Sequence, residues 1–249
     1  MRLNGCEGAR PEPRRACPRT AAATRFEPAL TLLEPRKLPR QARARATFEA
    51  IIDACAQLLV AGSYDALTTN SISERAGVSI GTLYEYFPNR ESIVAALTAR
   101  ACRRLVRRMA AAAEESLGMP DFQALEHLVR AGVGVLSAPE NVFKALVREA
   151  PFVLRLPVFR ETRAALDRLC DAIRREAGER VSLPEPTIDA WLISQMLFNA
   201  MLEIACLDVT GPERDISIHE LTRLTFRMVI GRDPSGAEIA ASTACPNGA

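Results

Sequence analysis

Apolar residues recur at helical spacing through most of the chain beyond residue 41. The first such set is Phe48, Ile51, Ile52, Cys55, Leu58 and Leu59. This spacing predicts a helix with one buried face, and Gly62 is placed to end it. The pattern then predicts short helices at about 69–76 and 80–87, followed by a long helix that Asn89 caps and that runs to about Glu115.

Prolines divide the second half of the chain into further helices. The predicted segments are 121–137, 140–154, 158–177, 186–208 and 217–230. The last begins with Ser217 and Glu220, at the spacing of a capping box. No segment alternates as a half-buried strand does, and a chain with 5% aromatic residues needs a core of small aliphatic side chains. Together these patterns predict an all-α fold.

The two ends of the chain differ from the rest. Residues 1–40 hold six of the sixteen prolines and no apolar period, which predicts a disordered basic arm. The net charge of residues 1–45 is +7, which leaves −5 for the remainder of a chain whose net charge is +2. Residues 233–249 are predicted to form a flexible tail.

Several classes of site are absent from the sequence. The seven cysteines include no CxxC pair, and both histidines are distant from them, so we expect neither a disulfide framework nor a metal site. There is no nucleophile elbow, zinc-protease or phosphate-loop motif. We therefore predict no catalytic residues, no cofactor and no enzyme activity. Polar residues interrupt the longest apolar run, 190–207, which argues against a membrane partner. The cysteine usage favours a reducing cytoplasm.

The segment 69–87 has the pattern of a helix-turn-helix. Its two short helices are joined by a turn in which Ala76 allows close approach and Gly77 can take a positive φ. Val78 would fill the angle between the helices, and Ser79 would cap the second. That second helix has small and polar residues on one edge, as a helix that enters the major groove requires.

The string SISERAGVSIGTLYEYFPNRESI resembles the DNA-binding region of the TetR family of bacterial transcriptional regulators. The matching residues are Thr68, Thr69, Ile72, Ala76, Gly77, Val78, Ser79, Gly81, Thr82, Leu83, Tyr84, Tyr86, Phe87 and Glu91. The chain departs from the family pattern at Ser73, where alanine is usual, and at Arg90, where lysine is usual. The resemblance covers residues 43 to about 105.

The resemblance implies a fold and a set of partners. It implies a three-helix, helix-turn-helix DNA-binding domain at 41–105 and a helical ligand-binding and dimerisation domain at 106–232. The protein would be a homodimer through helices near 186–208 and 217–230. It would bind double-stranded, palindromic operator DNA as a repressor that an unknown small-molecule inducer releases. Its location would be cytoplasmic and nucleoid-associated. An activator or constitutive regulator of the same fold is an alternative, and a small helical enzyme with a DNA-binding head is a more distant one.

The resemblance also implies which residues contact DNA. They are Thr69, Asn70, Ser79, Ile80, Gly81, Thr82, Tyr84, Glu85, Tyr86 and Arg90. Tyr84 and Tyr86 would hold the DNA backbone, although both could instead pack the domain. Glu85 would accept from a cytosine amino group or point away from the phosphates. Arg90 would bind a phosphate.

The ligand-facing residues match no motif. Helices 121–137, 158–177 and 186–208 are predicted to enclose a mostly apolar cavity. The candidate pocket residues are Phe122, Phe143, Phe159, Trp191, Gln195 and Asn199. Packing is the alternative for the aromatic residues, and solvent or the dimer interface is the alternative for the polar stripe Gln195, Asn199 and Glu203. The arginines at 100, 103, 104, 107 and 108 are predicted to form a solvated face.

Overall fold

A computed structural model describes residues 33–138, 142–206 and 211–243. The α-helices among them are α1 (Ala42–Ala61), α2 (Thr69–Ala76), α3 (Ile80–Tyr86), α4 (Arg90–Glu115), α5 (Asp121–Ser137), α6 (Phe143–Glu149), α7 (Pro157–Ala177), α8 (Pro186–Cys206), α9 (Pro212–Ile230) and α10 (Gly236–Thr243). Short 3₁₀ helices, Pro151–Arg155 and Gly178–Arg180, flank α7. No strand occurs in these ranges, and the predicted all-α fold is confirmed.

Helices α1 to α3 and the start of α4 form an N-terminal head. The buried face of α1 includes Phe48 and Ile51, and Phe87 stacks on Phe48 with ring centroids 4.8 Å apart. Gly62 follows the last residue of α1, and Asn89 caps α4, as the sequence predicts. The rest of α4 continues into the C-terminal domain, and its buried residues belong to one apolar core that extends through both domains.

Helix α5 lies at the centre of the C-terminal domain and packs against α4, α8, α9 and α10. Gly132 explains part of this close packing, because a Cβ at this position would collide with the sulfur of Met201 on α8. Phe122 at the start of α5 is fully buried and meets Phe226 of α9 edge to face, with centroids 5.5 Å apart. The core is therefore filled where these helices cross.

Two helix boundaries differ from the sequence prediction. The predicted helix 140–154 is divided, because α6 ends at Glu149 and a 3₁₀ helix begins at Pro151. The first two residues of the predicted helix, 140 and 141, fall outside the described ranges. The predicted capping box at Ser217 is wrong. Pro212 begins α9 five residues earlier, so Ser217 lies inside the helix and donates its hydroxyl to the carbonyl of Glu213 at 2.9 Å.

The C-terminal segment differs from the predicted flexible tail at residues 236–243, which form α10 and pack on α5. Glu238 fixes the start of α10, since its carboxylate accepts from the backbone N–H of Ser235 at 2.8 Å and pairs with Arg232 at 2.9 Å. The Arg232 guanidinium and these hydrogen bonds lower the pKa of Glu238 to about 2. Residues 244–249 lie outside the described ranges.

Three features of the described residues concern membrane spans, metal sites and disulfides. None of the described helices combines the length and apolar character that crossing a membrane requires. The described part of the chain contains no group of three or more side chains suited to hold a metal ion. Its cysteines at 55, 102, 170 and 206 are free thiols.

Candidate nucleic-acid interface

The turn between α2 and α3 is built by local backbone signals. Thr68 accepts from the backbone N–H of Ser71, and Ser71 returns the bond to the Thr68 backbone, so a capping box begins α2. Gly77 ends α2 at φ 67°, in the left-handed region that glycine enters without strain. The N–H of Val78 then bonds the carbonyl of Ser73 at 3.1 Å. These bonds fix the angle at which α3 leaves the turn.

Ser79 caps α3, since its hydroxyl oxygen accepts from the backbone N–H of Thr82 at 3.1 Å, as the sequence predicts. Leu83 is fully buried beneath the helix. The opposite edge carries exposed side chains or backbone at Ile80, Gly81, Tyr84 and Glu85. Helix α3 therefore presents one edge to solvent, and that edge contains the residues expected to read bases.

Tyr84 is the largest side chain on this edge and is 40% exposed. Its hydroxyl lies 3.1 Å from the hydroxyl of Thr69, the first residue of α2. Asn70 is exposed beside Thr69. The structure thus brings the predicted contacts of α2 and α3 onto one surface.

Tyr86 is placed differently from Tyr84. It is 7% exposed, and its ring meets Phe48 edge to face at 5.9 Å between centroids. This burial favours the packing alternative for Tyr86 over the expected contact with the DNA backbone. The two tyrosines stand two residues apart on a helix, so they cannot share one face.

Arg90 joins the head internally. Its guanidinium donates to the carbonyls of Tyr64 and Leu67 at 3.2 and 3.0 Å and to the Glu91 carboxylate at 3.0 Å. It also lies over the Tyr64 ring, 4.3 Å from the centroid. These contacts connect the start of α4 to the loop between α1 and α2. Arg90 therefore has a structural role in addition to the expected contact with a phosphate.

Tyr64 lies at the centre of this cluster. Burial and the Glu91 carboxylate raise the pKa of Tyr64 to about 12, so its hydroxyl stays protonated and donates to Glu91 at 3.1 Å. Its ring also contacts Phe152 of the C-terminal domain, with centroids 5.8 Å apart. Tyr64 therefore touches both domains, and no sequence motif indicated this role.

Replacing Arg90 by alanine is expected to lower the free energy of unfolding by about 1–2 kcal/mol, because it removes a cation–π contact and hydrogen bonds to two carbonyls. Urea unfolding measures this loss, and Arg75→Ala, at an exposed position of α2, is the matched control. A free energy of unfolding equal to that of the parent would contradict this structural role. If Arg90 also binds phosphate, the slope of log affinity against log salt would fall by roughly 0.9 per phosphate.

The segment before α1 is a further part of this surface. The backbone N–H of Arg36 bonds the carbonyl of Tyr86 at 2.8 Å, and its guanidinium bonds the carbonyl of Tyr84 at 3.2 Å. Leu33 is half-buried against the head. Residues 33–40 therefore dock on the end of α3, in contrast to the predicted disorder, while residues 1–32 lie outside the described ranges. Sequence analysis missed this contact because backbone acceptors leave no pattern in side-chain types.

The structure does not bring the six predicted pocket residues together. Phe143 and Phe159 pack on each other at 6.4 Å between centroids, while Phe122 is buried against α9. Gln195 donates to Asp167 of α7 at 3.1 Å. Trp191 and Asn199 are exposed on α8, Trp191 by 53%. These positions correct the predicted shared pocket, because the aromatic residues fill core contacts and α8 turns its tryptophan outward.

Two described cavities lie elsewhere. One opens between α4 and α5. The other is bounded by the end of α1, the end of α5, α6 and Ala205 of α8. None of the six predicted residues lines either cavity.

Comparison with known proteins agrees with this geometry. Residues 51–97 match the family model described as bacterial regulatory proteins, tetR family. The transcriptional repressor KstR of Mycolicibacterium smegmatis is 26% identical over 185 residues, which are 74% of this chain and 86% of KstR. A TetR-family regulator structure from Mesorhizobium loti superposes with a TM-score of 0.60 at 16% identity, covering 76% of this chain and 99% of that one. FadR of Bacillus subtilis, solved with stearoyl-CoA, gives 0.55 at 22% identity, covering 74% and 99%.

Proposed function

Because the chain belongs to the TetR family of bacterial transcriptional regulators, we propose that it is a homodimeric repressor that binds a palindromic operator and leaves it when a small molecule binds. As a transcriptional regulator of this family, the protein is not an enzyme. The proposal concerns the operator, the dimer, the direction of regulation and the ligand. Each rests on a separate part of the molecule.

Operator binding is carried by the exposed edge of α3. Tyr84 and Thr69 meet through their hydroxyls at the outer surface, where both can donate to phosphate oxygens. Ile80 and Gly81 lie at the start of α3, where a recognition helix contacts base edges, and the missing side chain of Gly81 allows close approach. This surface is the observation that supports DNA binding most directly.

Dimerisation is supported by apolar side chains that the single chain leaves in solvent. On α8 and α9 these are Ile188, Trp191, Leu192, Met196, Ile216, Leu224 and Met228, each between 44% and 62% exposed. Contact of so many large apolar groups with water, on two adjacent helices, is unfavourable for a monomer. A twofold interface would cover them and place one α3 on each half of a palindrome.

Ligand response is supported by the way the two domains are joined. Helix α4 runs from the head into the C-terminal core, and Tyr64 contacts Phe152 across the same junction. A ligand that prefers one arrangement of the C-terminal domain can therefore bias the position of the head. FadR, which shares the fold, was solved with an amphipathic ligand, and KstR is named as a repressor.

The proposed function is tested by capturing genomic fragments from the source organism on the purified full-length protein. We expect a few fragments that share a palindrome overlapping a promoter, and a reporter driven by that promoter should become more active when the protein is removed. Reduced reporter activity would identify an activator instead. Retention of no specific fragment would contradict operator binding.

A further inference from the structure

The two helices expected to face DNA carry little positive charge. Between residues 69 and 86 the charged side chains are Glu74, Arg75 and Glu85, so the net charge of this unit is −1. Arg90, at the start of α4, already pairs with the neighbouring carboxylate at 3.0 Å. A DNA-binding protein neutralises several phosphates with lysine or arginine side chains, and this supplies much of its affinity. We therefore expect the cations to come from another part of the head.

A basic segment, residues 36–45, precedes α1 and forms its first turn. Its sequence, RKLPRQARAR, contains five arginine or lysine residues and no acidic one. All five of these side chains are exposed, and they are Arg36, Lys37, Arg40, Arg43 and Arg45. Within the described ranges none of the five pairs with a carboxylate, whereas two of them donate to backbone carbonyls. The basic segment therefore presents its charge to solvent.

Hydrogen bonds hold the basic segment beside α3 at one end and on α1 at the other. The backbone N–H of Arg36 bonds the carbonyl of Tyr86 at 2.8 Å, and its guanidinium bonds that of Tyr84 at 3.2 Å. The Arg45 guanidinium donates to the carbonyl of Arg40 at 3.2 Å. Helix α3 has only seven residues, about 10 Å of helix, and the major groove is about 12 Å wide. A segment fixed at the end of α3 therefore lies next to the phosphates that border the groove.

We infer that the basic segment is a second DNA contact, which binds the phosphate backbone beside the major groove that α3 enters. Lys37, Arg40 and Arg43 contact the phosphates, while Arg36 and Arg45 position the segment through the carbonyls they bind. Capping the end of α3 requires Arg36 alone, so it does not account for the other four cations. This contact rests on the DNA-binding part of the proposed function, and it adds affinity without reading bases.

The test compares two variants of the full-length protein that lose the same amount of charge. The basic-segment variant replaces Lys37, Arg40 and Arg43 by glutamine, and the control variant replaces three exposed arginines of α4 and α7 by glutamine. The control positions are Arg103, Arg107 and Arg160. The probe is a fluorescent DNA duplex of mixed sequence, titrated by anisotropy at several salt concentrations. Both variants should melt as the parent does, because every replaced side chain is exposed.

We expect the basic-segment variant to bind the duplex about 10-fold more weakly than the parent, or weaker still, near physiological salt. The slope of log affinity against log salt should fall by roughly 0.9 for each lost phosphate contact, or by about 5 in a dimer that loses three contacts per subunit. The control variant should keep the slope of the parent. An unchanged slope in the basic-segment variant, or an equal loss in both variants, overturns the proposal.

The mixed-sequence probe separates this proposal from the proposed function, because it requires no operator. The expected loss of duplex affinity supports the basic segment as a DNA contact even when the parent retains no specific genomic fragment, and in that case the repressor function fails. Conversely, the parent can capture an operator that the basic-segment variant binds with unchanged affinity and slope. That result overturns the role of the basic segment and leaves the repressor function in place.

The captured operator provides a second readout for the same variant. The basic-segment variant should bind operator and mixed-sequence duplex with the same affinity ratio as the parent, because phosphate contacts carry no sequence information. A changed ratio would show that the basic segment reads bases and would overturn its assignment to the phosphates.

Discussion

Replacing Tyr84 by alanine is expected to reduce operator affinity roughly 100-fold or more while leaving a folded dimer. The side chain is 40% exposed at the outer edge of α3, so its loss opens no cavity in the core. A hydrogen bond to a charged partner contributes about 1.5–3 kcal/mol, and a twofold dimer loses it twice. Gel-shift titration on the captured operator measures the affinity.

Two further variants distinguish a loss of DNA contact from a loss of packing. Tyr84→Phe retains the ring and removes only the hydroxyl that meets Thr69, so it should reproduce most of the loss when the hydroxyl holds a phosphate. Tyr86→Phe changes a buried ring that packs on Phe48 and should leave affinity near that of the parent. Unchanged affinity in Tyr84→Ala would contradict the proposed DNA-facing edge, and a lowered melting temperature would indicate a packing role.

Replacing Leu192 by aspartate is expected to raise the dissociation constant of the dimer by about 10²- to 10⁴-fold. Burial of a leucine side chain contributes roughly 1.5–3 kcal/mol, and the twofold axis doubles this contribution. Two carboxylates brought into an apolar contact add a desolvation cost. Sedimentation velocity across a concentration series measures the shift, and operator affinity should fall with the loss of the dimer.

The matched control is Leu154→Asp. Leu154 and Leu192 are both 45% exposed, but Leu154 lies in the 3₁₀ helix before α7 rather than on α8. The control should sediment as the parent does. A dimer that survives Leu192→Asp would contradict the proposed interface on α8 and α9.

Sequence predicts the head better than the C-terminal domain because the signals of the head are local. A left-handed glycine at 77 and side-chain caps at Ser79 and Asn89 act within three or four residues. Each of these signals restricts the backbone conformation locally and needs no contact with residues distant in the sequence. The helix-turn-helix and its resemblance to a known family are therefore readable from the chain alone.

The remaining features depend on contacts between distant residues. Tyr84 and Tyr86 are the same residue type on one short helix, but Tyr86, three residues after Leu83, shares the buried face of that helix and packs on Phe48, whereas Tyr84 does not. Trp191 could have lined a pocket, but the rotation of α8 against its neighbours places it in solvent. Helix α10 is only eight residues long and is held by α5 and by the Glu238 pair with Arg232. Helical periodicity does not determine how α8 and α10 are rotated against their neighbours.

The contact between Tyr64 and Phe152 limits how far the head can be treated as an exchangeable module. A chimera that receives the head of another regulator at residues 41–105 would lose the aromatic partner of Phe152, together with the first part of α4, which packs in the core shared by the two domains. Such a protein could recognise the new operator and still fail to transmit ligand binding. To engineer a sensor from this chain, the exchanged segment should therefore carry both Tyr64 and Phe152. A junction placed within α4 would separate these two residues.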